Sequence, residues 1–273
     1  MSSPILGLTG ALCLAACPPV ANPPTEPAPP LSALSQEVSA LQVLYSLDVT
    51  RPQLEALKKL AAKTAAKPAA QAAGKGSDGL RKKLTALRDA LVDPKDDDRI
   101  GELMEDLDKL RDAEKPELAD EIDVTEDAVL QAPAFLRTLS ARQVASYVAG
   151  FAAEIMDPRE HLLEALQKVR GLSDAEWGET RDDVAEDVSH LVAGLDEDRA
   201  AKVRNQVIQL LIIARSLKPE EFKKERSDLE KQAQEILGNL GPTDVLRHIM
   251  ERVVAELLSN PRLPAALDAR LKK

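Results

Sequence analysis

The chain has 273 residues, of which 30% are charged, 44% are hydrophobic and 2% are aromatic. Its formal net charge of −10 argues against nonspecific binding of nucleic acid, because contacts with phosphates need a cationic surface. Residues that favour strands are scarce and never alternate over a useful length, whereas good helix formers dominate. The composition therefore predicts an all-α protein, a multi-helix bundle of short helical hairpins.

Residues 1–17 predict a signal peptide. Residues 5–16 are apolar over a length typical of a signal-peptide core and too short for a membrane-spanning helix. They end in Leu14-Ala15-Ala16-Cys17, which resembles the lipobox of bacterial lipoproteins. The resemblance implies removal of residues 1–16 and attachment of lipid to Cys17. No Lys or Arg precedes Cys17, so the basic segment usual in such leaders would have to come from a start codon farther upstream.

Residues 18–30 are Pro-rich and carry one charged residue, Glu26. Such a stretch favours polyproline II, so we expect a semi-rigid tether between the lipid and the folded body. The two cysteines of the chain, Cys13 and Cys17, both lie in the predicted leader, so the body needs no disulfide. The predicted location is the periplasmic side of the cell envelope, anchored to a membrane. The alternative is a cytoplasmic protein with an apolar N-terminus and two incidental cysteines.

An N-terminal helical hairpin region is predicted over residues 31–132, with apolar residues recurring every three or four positions. Residues 51–89 hold ten Lys or Arg against three Asp or Glu, whereas residues 90–132 hold sixteen Asp or Glu against five Lys or Arg. Two interpretations are open. The basic and acidic arms of a hairpin face each other, or the basic arm is a patch for an anionic partner such as lipid headgroups. Helices are predicted to begin near residues 31, 51, 80 and 100.

A C-terminal helical bundle domain is predicted over residues 133–273. The segment 117–138 is less regular and contains Pro133, so the domain boundary is placed within it. Glycines 171, 194 and 238 are predicted to be left-handed C-caps, and the short connections predict that successive helices pack as hairpins. Helices are predicted over residues 141–156, 159–170, 174–193, 197–216, 219–237 and 244–259.

A local frame recurs at three predicted helix starts: an apolar residue, a hydroxyl N-cap, two residues, Gln or Glu, and a second apolar residue. In this frame the hydroxyl accepts from the N3 amide, and the Gln or Glu side chain accepts from the N-cap amide. The frame thus predicts a capping box with a hydrophobic staple. It occurs as Val49-Thr50-Arg51-Pro52-Gln53-Leu54, Leu139-Ser140-Ala141-Arg142-Gln143-Val144 and Leu172-Ser173-Asp174-Ala175-Glu176-Trp177.

The first two frames are similar to the LTxxQ motifs of the Spy/CpxP family. Thr50 and Gln53 match the motif, while Val49 and Ser140 stand where the motif has Leu and Thr. The resemblance implies a small helical periplasmic protein that forms cradle-like dimers and has a chaperone or stress-sensing role.

Histidine–carboxylate pairs suggest an alternative function. Each histidine has an acidic residue four positions earlier, which places both groups on one helix face, and the densest cluster combines three carboxylates with His190. Carboxylate and imidazole are ligand types for zinc and other divalent ions, although such pairs also occur on solvated faces. Residues 93–98 are interpreted as a helix start, because they lack the glycine and terminal Glu of an EF-hand. The pairs are Asp157/His161, Glu186/His190 and Asp244/His248, and the cluster is Asp183, Glu186, Asp187 and His190.

The sequence favours a binding protein over an enzyme. It contains no phosphate-binding glycine loop, nucleophile elbow or Cys/His pair. We therefore expect a lipid-anchored, extracytoplasmic binding, scaffold or chaperone-like protein without catalytic activity or cofactor. Its expected partners are the membrane, through the lipid on Cys17, and an envelope protein or a second copy of the chain. The alternative is a divalent-metal-binding sensor or enzyme that uses the acidic and histidine faces.

Overall fold

The computed structural model describes residues 29–66, 76–114, 116, 122–151 and 158–273. Within these residues the protein is all-α and contains no strand, as the composition predicts. The lipobox, Cys17 and most of the predicted tether lie outside the described residues. The helices of the described part are α1 (Leu31–Ser46), α2 (Arg51–Thr64), α3 (Asp78–Val92), α4 (Asp97–Glu114), α5 (Glu126–Leu136), α6 (Ala141–Phe151), α7 (Pro158–Lys168), α8 (Asp174–Ala193), α9 (Glu197–Ser216), α10 (Pro219–Leu237), α11 (Pro242–Ser259) and α12 (Leu263–Leu271).

Short-range signals set the helix ends. The side chain of Ser77 accepts a hydrogen bond from the Leu80 amide at the start of α3, which satisfies a donor that the first turn leaves free. Gly194 and Gly238 follow α8 and α10 with φ of 61° and 64°, so glycine ends both helices at positive φ as predicted. Their ψ angles of −119° and −143° differ from those of the predicted left-handed cap. The same prediction is wrong for Gly171, which lies in a 3-10 turn at Val169–Gly171 and is not among the described positive-φ glycines.

The first apolar core, called core I, joins helices from both ends of the chain. Side chains from α1 to α6 pack together with α11 and α12. Helix α1 contacts α3 and α12, while α5 lies along α11. Val38, Leu41 and Leu44 of α1 have no exposed surface. Helix α1 is therefore the central element of core I, which explains why it is apolar on more than one face.

The second apolar core, called core II, consists of α7 to α10 with the 3-10 turn between α7 and α8. Val188 and Val192 of α8 pack with Val207 and Leu211 of α9, and all four side chains are fully buried. Consecutive helices contact one another here, so the predicted hairpin packing is confirmed for α7 to α10. It is wrong for α11, which packs on α5, α8 and α2 instead.

Two stretches are more regular than the sequence indicates. The segment 117–138, interpreted as irregular, contains α5, and Pro133 lies inside that helix. The Thr125 cap and the buried side chain of Phe135 favour this helix despite the proline. Helix α12 follows the last predicted helix, and Leu263, Ala266 and Leu267 bury one of its faces in core I. The predicted domain bounds remain a prediction, and residue 133 falls within α5.

Charged arms face each other in part of the structure. Basic α3 packs against acidic α4, and Lys83 Nζ lies 2.5 Å from Asp106 Oδ2. Basic α2 packs on α12 instead, where Lys58 Nζ lies 2.5 Å from Asp268 Oδ1. All four side chains are at least one-third exposed, so solvent screens each pair and it contributes little to stability. The paired-arm interpretation therefore holds for α3 and α4 but not for α2.

Candidate functional site: a cleft between the two cores

A cleft of about 650 Å³ lies where core I meets core II. In the described part of the chain, the main helix contact between the cores is α8 against α11. Residues from α1, α6, α8 and α11 line the cleft, together with residues 122–124 and the first residue of α9. Ligand pockets typically measure roughly 300–1,000 Å³ and often lie between structural units. The size and position of this cleft make it the leading candidate for a binding site.

One wall of the cleft is apolar. Val43, Val253 and Leu257 line it together with the ring of Tyr147. Tyr147 is only 8% exposed and belongs to core I, as the sequence predicts. Burial, and then the negative charge of Glu256, raise the Tyr147 pKa to about 12, so the cleft holds a neutral phenol at physiological pH.

The other lining groups are mostly charged. Glu186 and Glu197 face the cleft from core II, and Arg252 and Glu256 face it from α11. Arg252 Nε donates to Glu256 Oε1 over 2.9 Å, so the charge of this arginine is largely balanced. His190 lies between these walls, and its pKa is lowered first by burial and then by the positive charge of Arg252. The imidazole is therefore neutral at pH 7.

The three histidines have different surroundings. His190 and its sequence partner Glu186 both line the cleft. His161 Nε2 lies 3.8 Å from Asp187 Oδ2 of α8, while its predicted partner at position 157 lies outside the described residues. The buried ring of His248 is 2.8 Å from the Leu191 carbonyl oxygen at the end of α8. Within the described ranges, no group of three or more His, Cys, Asp or Glu is arranged to hold a metal ion.

The acidic stretch at residues 93–98 forms a helix start, as predicted. Asp96 Oδ1 accepts from the Arg99 amide at the beginning of α4. Asp97 Oδ1 accepts from the Tyr45 hydroxyl over 2.7 Å, which ties α4 to α1. Burial and this hydrogen bond raise the Tyr45 pKa to about 12.

The two LTxxQ-like frames meet in space although they are 90 residues apart. Gln53 Nε2 donates to Gln143 Oε1 over 3.1 Å, and Gln143 Nε2 donates to Gln53 Oε1 over 2.9 Å. Each glutamine also caps its own helix, since Gln53 Oε1 accepts from the Thr50 amide and Gln143 Oε1 accepts from the Ser140 amide. We call these two side chains the glutamine pair. The pair joins the start of α2 to the start of α6.

The glutamine pair also holds the two turns that precede these helices. Gln143 Nε2 donates to the Asp48 carbonyl over 2.8 Å, and Gln53 Nε2 donates to the Thr138 carbonyl over 2.7 Å. Asp48 has a φ of 46°, which is a strained conformation for a residue other than glycine. The Gln143 contact helps to offset this strain. The third frame differs, because the hydrogen bonds between Ser173 and Glu176 only cap α8.

The cleft combines residues that sequence reasoning did not bring together. Glu186 and His190 stood out only as a helical acid–histidine pair, and Tyr147 only as a core residue. Arg252 and Glu256 have the i, i+4 spacing of an ordinary surface ion pair. The only sequence signal for the cleft was the mixed polar and apolar character of α8 and α11, which many solvated helices share.

None of the described helices is both long enough and apolar enough to cross a membrane. Comparisons of the chain with protein-family profiles, with curated proteins and with solved structures found no significant match.

Proposed function

We propose that the protein is a lipid-anchored, extracytoplasmic binding protein that takes its ligand in the cleft between the two cores and catalyses no reaction. The cleft is the observation that carries the binding role, since its volume lies in the range of ligand pockets and its lining joins apolar side chains to charged ones. The anchoring role is supported by the lipobox-like Leu14-Ala15-Ala16-Cys17 and by the Pro-rich residues 18–30.

Anchoring is tested in the bacterial envelope. Wild-type chain and Cys17→Ser are produced in a bacterium, and the lipid content of the protein in the membrane and soluble fractions is compared. We expect wild type in the membrane fraction as a lipidated chain that begins at Cys17, because a single thioether-linked diacylglycerol supplies two acyl chains for stable anchoring. Cys17→Ser should carry no lipid and should keep residues 1–16. Wild-type protein that stays soluble in the cytosol without lipid would contradict the proposal.

A chaperone-like role is the second candidate, and a groove along α6 favours it. The groove is lined almost entirely by apolar side chains, and it lies next to the glutamine pair. Exposed apolar grooves on soluble proteins often mark sites that contact other proteins. The glutamine pair brings the two LTxxQ-like frames together beside this groove. The lining residues are Leu139, Ala141, Val144, Ala145, Val148, Ala149 and Leu246.

Suppression of aggregation tests the chaperone-like role. Reduced lysozyme is the client, and light scattering reports its aggregation with and without the protein. We expect suppression by wild type and loss of suppression in Ala145→Asp, which places a charge in the α6 groove at an exposed position. Leu130→Asp is the matched control, because Leu130 is an exposed apolar residue outside the groove. Equal suppression by both variants would exclude the groove as the client site.

A further inference from the structure

We infer that the ligand of the cleft is a small organic cation, namely an amine or guanidinium group on an apolar body. This inference rests on the proposed binding role of the cleft and adds the chemical class of the ligand. It follows from the balance of charges around the cleft and from the position of its apolar wall.

Negative charge exceeds positive charge around the cleft. Its carboxylates come from four separate segments: Asp123 precedes α5, Glu186 lies on α8, Glu197 begins α9 and Glu256 lies on α11. The one arginine of the lining, Arg252, is already paired with Glu256.

The remaining carboxylates keep most of their charge unbalanced. Glu186 Oε2 lies 4.0 Å from Arg204 Nη2, a long contact between half-exposed groups, and Asp123 and Glu197 have no salt bridge within the described residues. His190 adds no positive charge at pH 7, because its pKa is lowered. A cation in the cleft would therefore gain favourable interactions with three carboxylates, whereas an anion would be repelled.

The apolar wall selects among cations. Val43, Val253 and Leu257 give no ligand atoms to a bare metal ion but can bury the hydrocarbon part of an organic ligand. Tyr147 lines the same space, and aromatic side chains attract ammonium and guanidinium groups. No described group of three His, Cys, Asp or Glu is arranged for a metal, which again favours an organic cation.

Three fluorescent probes of matched size test the charge preference. The probes are dansylcadaverine, which carries a free amine, its N-acetyl derivative, which is neutral, and dansyl-6-aminohexanoate, which is anionic. Each is titrated into the full chain carrying Cys17→Ser, and dansyl emission reports binding. We expect saturable binding of the amine, at least about tenfold weaker binding of the other two, and loss of amine affinity as salt is raised.

A pair of double variants locates the amine. Glu186→Gln with Glu197→Gln removes two charges from the cleft, and we expect the amine to bind about tenfold more weakly. Glu179→Gln with Glu225→Gln removes two exposed charges outside the cleft lining and should leave affinity within about twofold. Circular dichroism checks that both variants remain helical.

The outcomes separate this inference from the proposed function. Equally tight binding of the neutral or anionic probe at the cleft would overturn the cationic ligand class and leave the binding role intact. Amine binding that the Glu186 and Glu197 substitutions do not weaken would place the amine elsewhere and overturn the inference. Saturable binding of none of the probes would overturn it as well, while membrane attachment through Cys17 would still stand on its own test.

Discussion

Truncation of Gln143 to alanine probes the contact that joins the two distant frames. The Gln143 side chain is 7% exposed, and its amide donates to the carbonyls of Leu47 and Asp48 and to Gln53. Its oxygen accepts from the Ser140 amide, which belongs to the N-cap of α6. Gln143→Ala removes all of these hydrogen bonds at once and leaves the two carbonyl groups without this partner.

The expected loss of stability follows from two contributions. Loss of the hydrogen bond from the Ser140 amide to Gln143 Oε1 costs about 1 kcal/mol, while the Ser140 hydroxyl still caps the helix. A buried polar group left without its partner costs about 1–3 kcal/mol. We therefore expect Gln143→Ala to lower the free energy of unfolding by about 2–4 kcal/mol. Gln53→Ala should lower the free energy of unfolding by a smaller amount, because Gln53 is only partly buried.

Chemical denaturation followed by circular dichroism at 222 nm measures both losses. The double variant of Gln53 and Gln143 should cost less than the sum of the single variants, with a coupling energy of about 0.5–3 kcal/mol. Gln234→Ala is the matched control, since Gln234 is an exposed glutamine whose amide bonds the Gly238 carbonyl. A Gln143→Ala loss no larger than that of the control, or strictly additive losses, would refute the reasoning.

Three further predictions concern backbone strain and proton binding. Gly194→Ala should lower the free energy of unfolding by at least about 1 kcal/mol more than Gly238→Ala. Both glycines have positive φ, but an added Cβ at Gly194 meets the His248 ring at 2.9 Å. Equal unfolding free energies of the two variants would contradict this prediction. Both tyrosines of the native protein should remain protonated at pH 11 and ionise near pH 12, whereas in denaturant they ionise near pH 10, and absorbance at 295 nm distinguishes the two cases. The pKa of His190 is lowered in the folded protein, so the unfolded state binds a proton on this imidazole more readily than the folded state does. The contribution of neutral His190 to stability is therefore fully present above pH 6.5 and is lost as pH falls through the folded pKa. His190→Gln should therefore show a smaller fall in unfolding free energy between pH 8 and 5 than wild type, and identical pH profiles would exclude this role for His190.

Local rules account for most helices but not for their packing. Caps such as Ser173 and Asp196 and glycines such as Gly194 act within a few residues, so the sequence alone locates the ends of α8 and α9. The same rules wrongly predict an irregular segment around Pro133. Burial of the α5 side chains stabilises the helix by more than the missing hydrogen bond of the proline destabilises it.

The candidate sites depend on contacts that no local rule specifies. Gln53 and Gln143 were predicted as two independent capping residues, and only the packing of core I brings them within hydrogen-bond distance. Tyr147, His190 and Arg252 lie on three different helices, and the cleft exists only because α11 returns from core II to core I. Periodicity identifies the buried face of each helix but not which other helix covers it.

The most direct test of lipid anchoring is the intact mass of the protein extracted from bacterial membranes. If Cys17 carries the anchor, the mass corresponds to a chain that begins at Cys17 with a diacylglyceryl group on its sulfur, with or without a further acyl group on its amine. Trypsin should release a lipidated peptide that begins at Cys17 and ends at Lys58, because residues 18–57 hold no Lys or Arg except Arg51, which precedes Pro52. Cys17→Ser should retain the leader. A protein recovered from the cytosol with residues 1–16 still attached and no added lipid would contradict the central claim.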